Sequence, residues 1–270
     1  DLQQAVDHMT DGRYETRVHV TSNDEIGSLS SAFNQMAEAI QQEDEVQRSF
    51  LATVSHELRT PISYVKGYSE AIQNGFVEGP QKEEAIQIIT REAARMERLT
   101  NEFMQLARKD DLEQTEHEPL VLAETIREAI CLVTQQAANK HIEIVQHFDE
   151  ALIITGDEQK QKQVWINLLE NAIRYSHEAS QIMITTTQHN NQAVITIQDF
   201  GQGIPAADLP HVTERFYRVN KARSRTDGGS GLGLSIVEQI VKQHNGTLKI
   251  DSTIGQGTLV TVTLPLMEES

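Results

Sequence analysis

Apolar residues follow two different rhythms along this chain, and the change between them divides it. Up to about Lys109 they recur at steps of three and four, the period of an amphipathic helix. Leu2, Val6 and Met9 share one helix face, Asp11-Gly12-Arg13 breaks it, and Val18 and Val20 read as extended. Asp24-Glu25-Ile26-Gly27 opens a second helix, in which Ile26, Leu29, Phe33, Met36 and Ile40 form a heptad seam. Continued, the seam would reach Glu43 and Gln47, but apolar residues return only at Leu51, Val54 and Leu58. That is a four-residue insertion in the heptad, a stutter, expected where one helical device joins the next. Leu51, Val54, Leu58, Ile62 and Val65 continue as one stripe, with Pro61 inside it. A proline there removes a backbone donor and is expected to bend the helix.

This helix should run to about Asn74, where Asn74-Gly75 and Gly79-Pro80 signal a turn. A partner helix follows to about Lys109, with Ile86, Ile89, Ala93, Met96, Leu99, Phe103 and Leu106 on one face. Two antiparallel helices with one stripe each cannot bury both faces alone, whereas two such hairpins make a four-helix bundle, so a homodimer is expected.

Asp110–Pro119 is polar and acidic and reads as a linker. Beyond it helices alternate with short β-rich runs. Helices are expected at 122–138, 157–175 and 232–244, and strands at 142–147, 152–155, 182–187, 193–198, 247–252 and 259–264. Asn190-Asn191 marks a hairpin. Strands gathered in one sheet with helices on one face make an α/β sandwich. The fold class is therefore α+β: helices, then a sandwich domain.

Composition narrows the partners. The 270 residues are 38% hydrophobic and 23% charged, which suits two or three small domains. The net charge of −17 argues against nucleic acid or an anionic membrane surface. It is spread evenly, 11 basic against 20 acidic residues up to Leu112 and 12 against 20 beyond it. Cys131 is the single cysteine, which rules out an internal disulfide and fits a reducing compartment. No apolar run approaches the ~18 residues a membrane span needs. The chain opens at Asp1 already in helical pattern, as an excised piece of a longer protein would.

Chemistry enters at Ser55-His56-Glu57-Leu58-Arg59-Thr60-Pro61. His56 lies off the apolar stripe, so it should face solvent with the Glu57 carboxylate beside it. By itself that is an ordinary surface histidine, but the whole string resembles the phospho-acceptor box of sensor histidine kinases of two-component systems. The preceding helix, connector and helix, with Asp24-Glu25-Ile26-Gly27 and Ala32 to Met36, resemble a HAMP signalling module. Its first helix looks truncated, because the proline usual near its start is missing.

Glycine placement is the second signal. Six of the 15 glycines fall between 201 and 233. Asp199-Phe200-Gly201-Gln202-Gly203-Ile204 follows a strand, and Gly229-Ser230-Gly231-Leu232-Gly233-Leu234 opens a helix, where backbone amides suit a phosphate chain. Asn167 and Asn171 sit at i and i+4 on one helix, with Arg174 and Tyr175 a turn on; amide oxygens suit Mg²⁺. Arg215, Arg218, Lys221, Arg223 and Arg225 place five cations between the glycine clusters. In this order Asn167–Asn171, Asp199–Ile204, Glu214–Val219, Gly229–Leu234 and Gly255–Thr258 resemble the N, G1, F, G2 and G3 boxes of the histidine kinase catalytic domain.

The resemblance covers nearly the whole chain: a HAMP module over 1–43, a dimerisation and histidine phosphotransfer domain over 44–112, and a catalytic ATP-binding domain over 113–270. It implies that Asn167 and Asn171 hold Mg²⁺ and that Asp199 accepts a hydrogen bond from the adenine amino group. Gly201 and Gly203 would shape the adenine pocket, and Gly231 and Gly233 would meet the phosphates. Arg174, Tyr175, Ile204, Phe216, Arg218, Gly229, Leu232, Leu234 and Thr258 would surround the nucleotide. Phe200 departs from the polar residue common after that aspartate. His56 would attack the γ-phosphorus of ATP with Glu57 taking its Nδ1 proton, and the group would pass to an aspartate of a response regulator. Thr60, one turn on, could orient a water for the reverse dephosphorylation. The family usually places a HAMP module just inside the membrane, so this would be the cytoplasmic part of a plasma- or inner-membrane protein whose spans lie outside the sequence. Two other readings remain: an ATPase of the Hsp90 or topoisomerase kind, and a scaffold without activity. The first carries a water-activating glutamate where this chain has Asn167, and intact boxes speak against the second.

Overall fold

The computed structural model describes residues 2–20, 24–107, 118–219 and 230–267, and they fall into two units, Asp1–Ala93 and Ala94–Ser270. In the first unit a short helix, α1 (Leu2–Thr10), precedes a long one, α2 (Glu25–Gln73). Asp24 caps α2, its side chain accepting from the amides of Ile26 and Gly27, each at 3.1 Å. Ala5, Phe33 and Ala37 are buried between the two helices, with Leu2, Met9 and Val18 packed against them. The Asn34 amide reaches the connector: Oδ1 accepts from the Val18 N–H and Nδ2 donates to the Val18 carbonyl, both at 2.8 Å. One side chain thus substitutes for a strand partner and holds the connector extended. The heptad seam divides accordingly. Phe33 turns inward against α1, while Ile26, Leu29 and Met36 remain exposed.

α2 is unbroken through Glu43, Gln47 and Pro61, so neither the stutter nor the proline interrupts it. It ends in a Schellman motif, with Phe76 N–H on the Ala71 carbonyl (2.9 Å), Gly75 N–H on that of Ile72 (3.2 Å) and Gly75 at φ +70°. α3 (Pro80–Ala107) starts on a proline, a residue suited to the first helical position. Its last turns belong to the second unit.

In that unit a five-stranded sheet has the order β2 (Glu143–His147), β4 (Gln181–His189), β5 (Gln192–Asp199), β7 (Gly257–Pro265), β6 (Thr247–Thr253). Only β2 and β4 are parallel. Strict alternation along β4 and β5 buries Ile182, Ile184, Ala193, Ile195 and Ile197. α4 (Leu122–Asn139), α5 (Glu158–Tyr175) and α6 (Gly233–Gln243) pack on this sheet. Trp165 is fully buried, its indole N–H bonded to Thr125 Oγ1 at 3.2 Å across α4 and α5. Asn190 and Asn191 both take positive φ (47° and 59°), as a two-residue type I′ hairpin requires.

Two expectations are corrected. The strands do not all join one sheet, because β1 (Glu118–Val121) and β3 (Ile153–Gly156) form a separate antiparallel pair. β1 also begins inside the stretch read as linker. It has four residues, and Pro119 lacks a backbone donor, so it shows neither alternation nor a central-strand signature. The rest of that linker, 110–117, lies outside the described residues.

Candidate active site

His56 projects from α2 into solvent, and with Arg59, Thr60, Ser63 and Tyr64 it borders a groove along the helix surface. Glu57 and Thr60 are half-buried, and Thr60 follows His56 by one turn. Pro61 is buried on the opposite side of the chain from the exposed imidazole. The arrangement presents an exposed imidazole with a carboxylate one residue away and a hydroxyl one turn away.

The second site is a cleft of about 770 Å³ in the α/β unit. Its deepest polar group follows from the alternation of β5: Asp199 continues the buried row of Ala193, Ile195 and Ile197 and is only 6% exposed. Oδ1 accepts from the Gly201 N–H (2.9 Å) and the Thr258 N–H (3.3 Å). Oδ2 takes no hydrogen bond from the described residues and remains available to a ligand. Burial pushes the Asp199 pKa up, against the lowering effect of those two amides and of His177. Gly201 lets the turn press on the end of α5: a Cβ there would lie 2.0 Å from the Tyr175 carbonyl oxygen. Gly203 has φ +69°, and Ile204 beyond it is tied to Ser252 Oγ at 2.9 Å. Ile197, Ile250, Ile254 and Val260 make this end of the cleft apolar.

The other end is polar. Asn167, Asn171 and Arg174 face it from α5, Gly231, Gly233 and Leu234 from the start of α6, and Arg218 from the loop between. The two asparagines differ. Asn167 Oδ1 accepts from Gln163 (2.8 Å) and Nδ2 donates to the Gly233 carbonyl (3.3 Å), tying α5 to α6. Asn171 makes no such bond among the described residues, so its amide is open to a ligand. Glu170 lies at the margin and accepts from Gln136 at 3.3 Å.

Of the other anticipated residues, Tyr175 and Thr258 line the cleft, whereas Gly201 acts behind it, and Leu232, fully buried, is a core residue that seats the α6 N-terminus. Phe216 has φ +64° and donates its N–H to the Gly231 carbonyl at 2.9 Å. Gly229, Lys221, Arg223 and Arg225 lie outside the described residues. Sequence reasoning missed Ser252, whose Oγ also bonds the Gly257 carbonyl (2.8 Å) and Thr258 Oγ1 (2.9 Å). It also missed Arg98 and Glu102 of α3, which line the cleft. A serine in a strand and two charges on a helix carry no pattern that marks them.

A long signalling helix with an exposed histidine, joined in one chain to a mixed α/β unit with this cleft, is the architecture of a histidine kinase. Three family profiles match: HAMP domain over 1–42, His Kinase A (phospho-acceptor) domain over 46–112, and Histidine kinase-, DNA gyrase B-, and HSP90-like ATPase over 156–268. The chain belongs to the sensor histidine kinases. It is 35% identical over 242 residues to the sensor histidine kinase YkoH of Bacillus subtilis, covering 89% of this chain and 52% of that protein. With the signal transduction histidine-protein kinase BaeS of Escherichia coli it shares 32% identity over 256 residues, 94% of this chain and 54% of the relative. The chain thus spans about half the length of these relatives. The solved histidine kinase ThkA, in complex with the response regulator protein TrrA, has a similar fold, with a TM-score of 0.69, 24% identity, and coverage of 84% of this chain and 64% of that one. Among the described residues no helix is long and apolar enough to cross a membrane.

Proposed function

We propose that this chain uses ATP to phosphorylate His56 and passes the phosphoryl group to an aspartate of a response regulator. The observation that carries the reading is the pairing, in one chain, of an exposed histidine beside a carboxylate with a cleft that is apolar at one end and polar at the other. Asp199 Oδ2, fixed by the two amides on Oδ1, accepts from the adenine amino group. The apolar wall receives the purine, and the α6 N-terminus and Arg218 receive the phosphates. Imidazole attacks in its neutral form: His56 Nε2 forms the N–P bond as the bond from the γ-phosphorus to the ADP oxygen breaks, and Glu57 takes the Nδ1 proton. Mg²⁺ would be held by the open amide of Asn171, with Asn167 placing that face of α5 against α6, and it would offset charge on the phosphates. The donor set fits, since the Asn171 amide is a hard oxygen donor without a partner among the described residues. Thr60 serves the opposing activity, orienting a water whose attack on the regulator's phospho-aspartate releases inorganic phosphate and restores the aspartate.

The proposed working blocks are 1–43 for signal relay, 44–112 for dimerisation and phosphotransfer, and 113–270 for ATP. A homodimer closes the helical hairpins into a four-helix bundle. Attachment to a membrane is through segments outside this sequence, with the chain on the cytoplasmic side. Incubation with γ-labelled ATP tests the reading. A histidine kinase retains acid-labile, base-stable label. Release of inorganic phosphate without label on protein would point to an ATPase, and neither outcome would leave a scaffold.

A further inference from the structure

The last turns of α3 reach into the cleft of their own unit. Glu102 lines the wall on the polar side, and its carboxylate accepts a hydrogen bond from the Ser230 hydroxyl. Its other oxygen, Oε2, is buried with no hydrogen-bond partner among the described residues. Burial pushes the Glu102 pKa up; the Ser230 hydroxyl, Arg98 and Arg174 act against that, and Glu170 adds to it. The next residue holds the same region by packing: the Phe103 ring lies 6.1 Å from that of Phe216. Phe216 is itself bonded through its N–H to the carbonyl of Gly231, the residue after Ser230. α3 therefore grips two segments that meet at the start of α6, one by an aromatic contact and one by a carboxylate.

We propose that docked α3 is an intramolecular competitor of the nucleotide, with the Glu102 carboxylate holding the end of the cleft that a triphosphate needs. A carboxylate and a polyphosphate are drawn to the same Ser230 hydroxyl and Arg174 guanidinium, and they repel each other. Triphosphate binding and α3 docking are then mutually exclusive, so anything that moves α3 alters ATP affinity, and ATP frees α3 in return. The contact is poised for release, because a buried carboxylate with one oxygen unsatisfied is only partly compensated for its lost hydration. The inference rests on the nucleotide reading of the cleft.

The test is the affinity of the whole chain for Mg-ATP and for adenosine, which lacks phosphates. Glu102→Gln keeps the shape and removes the charge, and Glu102→Ala also removes the bond to Ser230. Both should bind Mg-ATP roughly three- to tenfold more tightly, while adenosine affinity stays as in wild type. Unchanged or weaker Mg-ATP binding in both variants overturns the competition, and so does an equal gain for adenosine. Binding of neither ligand by the wild type would instead defeat the nucleotide reading, and the inference with it.

Discussion

In Ala94–Ser270 the large apolar side chains Trp165, Leu169, Ile182, Ile195 and Leu264 are shut away from water by the unit's own sheet and helices. In Asp1–Ala93 the corresponding side chains are left outside: Ile26 is 68% exposed, Leu29 and Leu51 55%, and Ile62 52%. The difference concerns chemistry as much as stability. The cleft proposed to hold the nucleotide is built on a core completed within the chain. The proposed nucleophile sits on a helix whose apolar stripe is incomplete in a single copy, an arrangement that can be reset by changing how helices pair.

Substitutions in the α/β unit should act on ATP and leave the helices alone. The largest such effect is expected from Asp199→Asn. An amide can turn its donor toward the adenine amine, and a donor facing a donor costs ~1–3 kcal/mol, about five- to 150-fold in affinity. Calorimetric titration checks this, with the association state of the helices unchanged. Next is Gly201→Ala, where the added Cβ meets backbone at 2.0 Å. It should destabilise the α/β unit by ~1–3 kcal/mol, read from denaturant unfolding followed by the fluorescence of Trp165.

Substitutions on the helix should do the reverse. Thr60→Ala is expected to lower phospho-regulator dephosphorylation about tenfold, ~1.4 kcal/mol in the barrier, with autophosphorylation near wild type. A purely structural threonine would affect both slightly and together, since alanine is the better helix former.

Much of this contrast was legible in the sequence, because periodicity and glycine placement are local. The helix containing His56 and the Asn190-Asn191 hairpin both follow from neighbours in the chain. What was not legible depends on distant partners. Asn167 and Asn171 look equivalent at i and i+4, and only the approach of Gly233 from α6 ties one across the cleft and leaves the other open. Phe103 fits a bundle stripe, and nothing local indicates that it meets Phe216 instead. β1 was lost because four residues containing a proline show no alternation.

The smallest expected effect is a slope. Burial raises the Asp199 pKa in the folded state, so the native protein holds this proton more firmly than the unfolded chain does. Between the ordinary carboxylate value and the raised one, acidification favours the fold through this group, opposite to an ion-paired carboxylate. The Tm of the wild type minus that of Asp199→Asn should therefore increase as pH falls through that window; a decreasing difference would mean that the carboxylate is stabilised by folding.

The central claim is that this chain transfers phosphate from ATP to His56, and mapping the phosphate by mass spectrometry under neutral or basic conditions tests it most directly. The account predicts phosphate on the imidazole in the peptide containing His56 after incubation with Mg-ATP, and none on Glu57 or Thr60. In His56→Gln it predicts no phosphorylated residue at all, with ATP affinity retained. Phosphate on any other residue, or a labelled His56→Gln variant, would contradict it.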